Sequence, residues 1–203
     1  ARGSFSAICE GDDYWIDPLK LQKQYDAIHK YEAIMVVHNT IVLSYQEQEV
    51  TGIRLKLLKN ESGFLSTEDI ILKADNFHLS SIFIRSEVFK ELPDWYLKAP
   101  VGDVPLKMVA ASMGKVYYIN EIMSVYQKGL PGSYTAVERN RKKSFDEKQI
   151  KFARDYLEMY KSFDGYTNRK YHAAVRERSN QFLEKQIFDN NFPVFLDIDN
   201  KFM

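Results

Sequence analysis

Apolar and polar positions along this chain form two alternating patterns, one typical of strands and the other of helices. Three apolar runs, two of them rich in β-branched residues, predict strands, at residues 5–9, 33–45 and 116–125. Apolar residues at helical spacing lie between them. Because strands that alternate with helices are typical of mixed or parallel sheets covered by helices, the pattern predicts an α/β fold.

The first helix is predicted over residues 18–31, with Leu21, Tyr25 and Ile28 on its apolar face. Asp17 precedes it as a candidate cap, and Pro18 occupies the first helical position, where a missing N–H group costs nothing. These signals place the start of the helix directly after Asp17.

Two further helix starts can be read from short motifs. Ser66 and Asp69 have capping-box spacing, with aspartate in place of the usual glutamate. Asp103 is a candidate N-cap for a helix that runs through Met113 and is closed by Gly114. The polar stretch between the second predicted strand and Ser66 indicates a surface excursion with a short strand at residues 53–58.

The pattern changes after residue 135. Apolar residues at helical spacing predict helices over 144–160 and 168–188, separated by a turn at 163–166. We therefore expect a mixed α/β domain at residues 1–135 and a helical C-terminal extension at 136–203.

Composition excludes several classes of protein. The 203 residues carry 28 Lys and Arg against 28 Asp and Glu, so no long-range field favours nucleic acid or an anionic membrane. A basic cluster at residues 139–143 is best explained as a solvated loop. The single cysteine, Cys9, permits no internal disulfide, and no apolar run approaches the ~20 residues that span a bilayer. These features predict a cytoplasmic protein.

Acidic residues follow the first predicted strand. Glu10, Asp12 and Asp13 surround Gly11, between the strand and the first helix. In open α/β folds, ligands bind at the carboxyl edge of the sheet, where such a turn lies. Carboxylates suit Mg²⁺ or Mn²⁺, and glycine lets a diphosphate approach the backbone. The alternative is a solvated acidic turn that only caps the helix.

The order of these pieces resembles the family 2 glycosyltransferases of the GT-A fold. The matching stretches are the Ala-Arg-Gly lead-in, the strand, Glu10-Gly11-Asp12-Asp13-Tyr14-Trp15 and residues 17–22. They correspond to a glutamate-glycine-aspartate-aspartate version of the family's DxD motif. The resemblance covers the family's second half and implies the mixed-sheet, acceptor-binding part of the fold, without the nucleotide-binding N-terminal half.

The resemblance also implies roles for particular residues. Asp12 and Glu10 would coordinate Mn²⁺ or Mg²⁺; Glu10, Asp12, Asp13 and Trp15 would contact the donor; and Asp103 would be the catalytic base. Two departures from the family pattern bear on these roles. Gly102 stands where many members have a second acid, and Gly129 stands where a histidine often completes the metal shell.

The implied activity is transfer of a sugar, with inversion, from a nucleotide-diphosphate donor such as a UDP-sugar to a hydroxyl of a glycan or lipid-linked acceptor. Surface polysaccharide or lipopolysaccharide synthesis is the family association. The alternatives are a non-catalytic, degenerate or carbohydrate-binding module and, less favoured, a metal-dependent phosphotransferase. We expect no nucleic-acid partner; peripheral membrane association and self-association are left open.

Smaller signals admit two interpretations. His38, in the second predicted strand, is expected to be a hydrogen-bonded core residue. Trp95 and Tyr96 form an aromatic pair in a loop, which can stack on sugar rings or close the edge of a core. Gly129 and Gly132 flank Pro131 in a loop that predicts a mobile lid.

Overall fold

The computed structural model describes residues 2–46, 49–56, 59–73, 77–133 and 147–190. Ala1 of the lead-in, residues 57–58 of the predicted short strand, the basic cluster at 139–143 and the boundary at residues 135/136 lie outside the described residues. Within the described ranges the chain has an α/β fold with a mixed sheet, as the sequence predicts. No helix in these ranges has the length and apolar character needed to cross a membrane.

Seven strands form one sheet. They are β1 (Phe5–Ala7), β2 (Tyr14–Trp15), β3 (Met35–Gln46), β4 (Glu49–Lys56), β5 (Gly63–Leu65), β6 (Phe83–Arg85) and β7 (Val116–Lys128). The order is β1-β6-β3-β7-β2, with β4 paired to β3 and β5 paired to β7. The predicted strands at 5–9, 33–45 and 116–125 are therefore confirmed as β1, β3 and β7.

The long strands β3 and β7 are parallel and form the centre of the sheet. Their register shifts on both sides of Asn39, which pairs with Ile122, while His38 pairs with Ile119. The extra residues of β7 bulge at this point. All other strand pairs are antiparallel, so the sheet is mixed.

Five α-helices in the described ranges accompany the sheet. They are α1 (Lys20–Lys30), α2 (Thr67–Lys73), α3 (Asp103–Met113), α4 (Glu147–Tyr166) and α5 (His172–Asn190). The capping box is confirmed, because the Asp69 N–H donates to Ser66 Oγ at 3.0 Å and the Ser66 N–H donates to Asp69 Oδ2 at 3.3 Å. The predicted turn at 163–166 is wrong: α4 continues to Tyr166, and the chain turns over 167–171, where Asn168 and Arg169 adopt positive φ.

The buried face of α1 differs from the prediction. The helix begins at Lys20, after a turn that starts at Asp17: the Asp17 carbonyl accepts the N–H of Lys20 at 3.1 Å, and Asp17 Oδ1 accepts the N–H of Leu19 at 2.8 Å. Leu21 and Tyr25 are exposed, whereas Lys20 and Gln24 are buried beside Ala27 and Ile28. Gln24 Nε2 donates to two backbone carbonyls, that of Val36 in β3 and that of Ser81 just before β6. Backbone carbonyls beneath the helix therefore select a polar buried face.

Helices cover both faces of the sheet. Neighbouring residues of β3 point to opposite faces, and they pack against different helices. Val36 packs with Ile28 of α1, while Met35 and Val37 belong to the cluster that contains α2 and α3 side chains. The helices α4 and α5 pack outside α2 and α3 through a third cluster that includes Val109 and Phe163. This arrangement brings α4 to the edge of the sheet where the acidic loop lies.

Gly114 ends α3 for a steric reason. Gly114 is the C-cap of α3, as predicted, and its φ of −174° is extended backbone that any residue adopts. A Cβ at this position would lie 3.0 Å from Ile34 Cβ. The glycine therefore allows the end of α3 to pass closely over the start of β3.

Candidate functional site

The acidic loop crosses one edge of the sheet. β1 ends at Ala7, the Ile8 N–H still donates to the Ile82 carbonyl at 3.2 Å, and the chain then leaves the sheet. The Asp13 N–H donates to the Glu10 carbonyl at 3.1 Å, which closes a tight turn. Residues after this turn join β7 on the far side of β3 as strand β2. The loop is thus held at both ends by strands.

Two segments that are about 90 residues apart in sequence meet in one cleft of about 730 Å³. Glu10 and Asp12 enter it from the acidic loop, and Asp103 enters it from the start of α3. The structure therefore brings together three of the carboxylates that the sequence marks as candidates. Strand β1 and helix α3 position them from independent elements.

Asp103 is the first residue of α3, and Gly102 occupies the N-cap position without a side-chain cap. The prediction that Asp103 is the N-cap is therefore wrong by one residue, because Gly102 occupies that position. Its Oδ2 lies 2.8 Å from Nζ of Lys107, one turn further along the helix. Lys107 is buried and also donates to the Phe77 carbonyl at 2.9 Å. The carboxylate is consequently held in place by a fixed cation.

Asp13 does not line the cleft and anchors the loop to β7. Its side chain is buried, and Oδ1 accepts the backbone N–H of Gln127 at 3.1 Å. Burial raises the pKa of Asp13, while the Gln127 N–H and the nearby Ser80 hydroxyl act in the opposite direction. Oδ2 is buried and accepts no hydrogen bond within the described residues.

Gln127 binds two residues of the acidic loop. Its side-chain amide donates to the Asp12 carbonyl, and its Oε1 accepts the hydroxyl of Tyr45 at 2.8 Å. The same residue therefore binds the backbone of Asp12 and the side chain of Asp13. This network holds the backbone of Asp12 at the edge of the cleft.

The carboxylates in the cleft influence one another. Desolvation by the cleft walls raises the pKa of Glu10, and the charges of Asp13, Asp12 and Asp103 raise it further, while Lys107 lowers it. Glu10 is nevertheless exposed to solvent, so this desolvation is partial. A raised carboxyl pKa in a cleft is a common feature of ligand sites, because a bound cation relieves the repulsion.

The donor set suits a cation that arrives with phosphate oxygens. No group of three or more His, Cys, Asp and Glu side chains in the described ranges is arranged to hold a metal ion. Glu10 and Asp12 can still supply two carboxylates, and Mg²⁺ commonly uses one or two carboxylates together with substrate phosphates and water. A cation held here by Glu10 and Asp12 would therefore need further ligands besides these two carboxylates.

Trp15 does not line this cleft. Its Nε1 donates to the Ser80 carbonyl at 3.1 Å, and the buried ammonium of Lys20 lies 4.1 Å from the ring centroid. The ring thus fastens β2 to the loop before β6. These contacts hold the acidic loop in place, and a direct contact of Trp15 with a donor stays a prediction.

Aromatic side chains form much of the remaining wall. The rings that line the cleft are those of His78, Phe89, Tyr96, Tyr126 and Tyr156. His78 and Tyr126 are stacked, with centroids 3.9 Å apart and an interplanar angle of 18°. Of the predicted aromatic pair, Tyr96 reaches the cleft, while Trp95 packs into the cluster under α4. Sequence reasoning missed Tyr156, because its spacing from Phe152 and Tyr160 indicates only an apolar helix face.

The loop after β7 contributes one more cleft residue, Ser133. Gly129 and Gly132 have φ values of 86° and 83°, which favour glycine, so both glycines are needed for the turn around Pro131. The lid prediction concerns motion and stays a prediction.

Comparisons with known proteins give relatives without an assigned activity. Curated relatives include uncharacterized proteins of Mycobacterium tuberculosis and Mycobacterium bovis, each 26% identical to this chain over 154 residues. The alignment covers 72% of this chain and 41% of each relative, so the chain spans less than half the length of these proteins. No protein-family profile matches the sequence.

Proposed function

We propose that this chain is the metal- and acceptor-binding part of a GT-A glycosyltransferase similar to family 2. In this proposal it transfers a sugar, with inversion, from a nucleotide-diphosphate donor, a UDP-sugar in the first instance, to an acceptor hydroxyl. The observation that carries the proposal is the shared cleft, in which Glu10 and Asp12 face the same space as Asp103. A metal-binding pair and a separate base are what this reaction requires.

In this reaction Asp103 has one role, and the pair Glu10 and Asp12 has another. Asp103 accepts the proton of the acceptor hydroxyl while the acceptor oxygen bonds to the anomeric carbon and the bond to the diphosphate oxygen breaks. The nucleoside diphosphate leaves with the bonding electron pair. A bound Mn²⁺ or Mg²⁺ would offset the charge of this leaving group. Lys107 keeps the Asp103 carboxylate in one position.

Glu10 and Asp12 would hold the cation together with the diphosphate. Asp13 supports them indirectly, because its carboxylate binds the Gln127 N–H and so holds the loop on β7. Gly11 has open space around the position of an added Cβ, which leaves room for a ligand at the backbone. Surface polysaccharide or lipopolysaccharide synthesis is the setting that the family resemblance suggests.

A non-catalytic carbohydrate-binding module is the second candidate. The described residues offer no three-ligand metal group, and Gly102 stands where many family members have an acid. Such a module would keep the cleft and its aromatic walls but would bind no nucleotide.

Calorimetric titration of UDP into the full-length protein tests the proposal. We expect binding in the presence of Mn²⁺, loss of binding with EDTA, and at least a tenfold weaker affinity for Asp12→Asn. Asp26→Asn is the matched control, because Asp26 is an exposed aspartate on α1, outside the cleft. Absence of UDP binding with either Mn²⁺ or Mg²⁺ would overturn the donor site and leave the module as the better account.

Asp103→Asn tests the base separately. We expect UDP binding to persist and turnover of the UDP-sugar to fall by about 10²–10⁴, the usual contribution of a general base. Turnover that survives this substitution would remove the base assignment without affecting the donor site.

A further inference from the structure

The wall of the cleft opposite the acidic loop includes a residue of the C-terminal helices. Tyr156 belongs to α4, which packs against α3 and against the 3₁₀ turn Asp94–Lys98. It lines the same space as Asp12 and Asp103. The helical pair is therefore part of the site as well as a cover for α2 and α3.

The Tyr156 ring is fixed from behind by other rings. It stacks on Phe182 of α5, with centroids 4.6 Å apart and an interplanar angle of 13°. Phe152, one turn earlier on α4, meets it edge-on at 4.9 Å. A half-buried ring that is supported in this way presents a rigid apolar surface to the cleft, so little conformational entropy is lost when a ligand binds to it.

Tyr96 lies close to Asp103. Its hydroxyl donates to the Gly102 carbonyl at 3.1 Å, directly before Asp103 in sequence. Burial raises the pKa of Tyr96, and the Asp103 charge raises it further, so the phenol stays protonated and keeps this hydrogen bond. The hydrogen bond holds the ring at the start of α3, where it also lines the cleft.

We infer that this wall binds a pyranose ring, so that the acceptor is a saccharide and α4 helps to select it. Sugars present apolar C–H faces, which pack on aromatic rings, and hydroxyl groups, which donate to carboxylates. The cleft offers both kinds of surface, since the rings of Tyr96 and Tyr156 share it with the carboxylate of Asp103.

The role of this sugar as acceptor rests on the proposed function, whereas its binding does not. Binding can be measured without a donor by saturation-transfer-difference NMR, with the methyl glycosides of glucose, galactose and N-acetylglucosamine as probes. Octyl glucoside, below its micelle concentration, serves as a probe that also carries an alkyl chain. UDP with Mg²⁺ is titrated in parallel into the same protein.

We expect saturation transfer to the ring protons of at least one methyl glycoside. Tyr156→Ala should weaken its binding at least fivefold, while Tyr156→Phe, which keeps the ring, should change it less than twofold. Tyr166→Ala is the matched control, because Tyr166 is an exposed tyrosine of the same helix that does not line the cleft. Circular dichroism of each variant identifies loss of binding that comes from unfolding.

The outcomes separate this inference from the proposed function. UDP binding without saturation transfer to any glycoside, or with transfer only to the octyl chain, overturns the saccharide site and leaves the donor site intact. Equal glycoside binding by Tyr156→Ala and Tyr166→Ala overturns the part assigned to α4. Glycoside binding that depends on Tyr156, in a protein that binds no UDP, supports the saccharide site and rejects the transferase.

Discussion

The ammonium of Lys107 lies 2.8 Å from the carboxylate of Asp103, and the lysine side chain is only 1% exposed while the aspartate side chain is 35% exposed. The pair therefore joins a buried cation to an anion at the rim of the cleft. Lys107 also holds the carbonyl of Phe77, which ties the loop before β6 to α3. The position of the proposed base and the stability of this region thus depend on one ion pair.

Removing Asp103 should cost more stability than removing Lys107. Asp103→Ala leaves a buried ammonium without its carboxylate and should lower the free energy of unfolding by about 3 kcal/mol. Lys107→Met fills the space with an apolar chain, leaves a carboxylate that water can reach, and should cost about 1–2 kcal/mol. Urea unfolding at pH 7 measures both. A larger loss for Lys107→Met would contradict the arrangement of a buried cation and a rim anion.

His38 should make the protein sensitive to acid. Its Nδ1 lies 2.7 Å from the Asn39 carbonyl, and burial lowers its pKa from 6.5 to about 3. Because the unfolded chain binds a proton that the folded chain excludes, stability should fall as pH decreases from about 6.5 toward 3, by at most about 1.4 kcal/mol per pH unit. Above pH 6.5 this contribution is constant.

The His38 effect is isolated by comparison with a variant. His38→Gln removes the titrating group, so the difference in unfolding free energy between wild type and variant should vary with pH only below about 6.5. Guanidinium unfolding at four pH values between 4 and 8 provides this difference. A difference that stays flat over this range would show that folding does not shift the pKa of His38, and would contradict its burial in the neutral form.

Lys20 should make the free energy of unfolding depend on pH in the alkaline range. It is buried under Trp15 with Gln24 Oε1 at 2.7 Å, and burial lowers its pKa from 10.5 to about 8. The unfolded state therefore binds more protons between these two values, so wild type should gain stability relative to Lys20→Met as pH rises from about 8 to 10.5. Unfolding at pH 7.5, 9 and 10 measures the change; a relative loss would contradict it.

Two glycines should respond differently to alanine. At Gly114 an added Cβ would lie 3.0 Å from Ile34 Cβ, so Gly114→Ala should cost about 1–3 kcal/mol through overpacking. At Gly11 no atom lies within 4 Å of that position, and Gly11→Ala should leave stability within about 0.5 kcal/mol. Thermal unfolding compares the two variants. A weaker affinity of Gly11→Ala for UDP with Mn²⁺ would support close approach of the diphosphate to this backbone.

Local signals in the sequence determined much of the secondary structure. The strands that became β1, β3 and β7, the capping box of Ser66 and Asp69, and the helix from Asp103 to Met113 all follow from residue spacing. Each depends on contacts within a few residues, which composition and periodicity report directly. His38 is also buried and hydrogen-bonded, as expected for a lone histidine in an apolar strand.

Tertiary contacts decided the features that depend on distant residues. Periodicity placed Leu21 and Tyr25 in the core, but the carbonyls of Val36 and Ser81 bind Gln24 and turn a different face of α1 toward the sheet. The turn predicted around Gly165 is continuous helix, because packing against α5 and α3 outweighs the low helix propensity of one glycine.

For the candidate site, the sequence by itself determined which carboxylates stand out, since Glu10, Asp12 and Asp103 each follow from a local motif. Only the tertiary structure decided that these three share one cleft, that Asp13 faces Gln127, and that the wall includes aromatic side chains of β7 and α4. The physical reason is that a motif specifies residue type and local backbone, whereas the side chains that face one another depend on sheet order and helix packing.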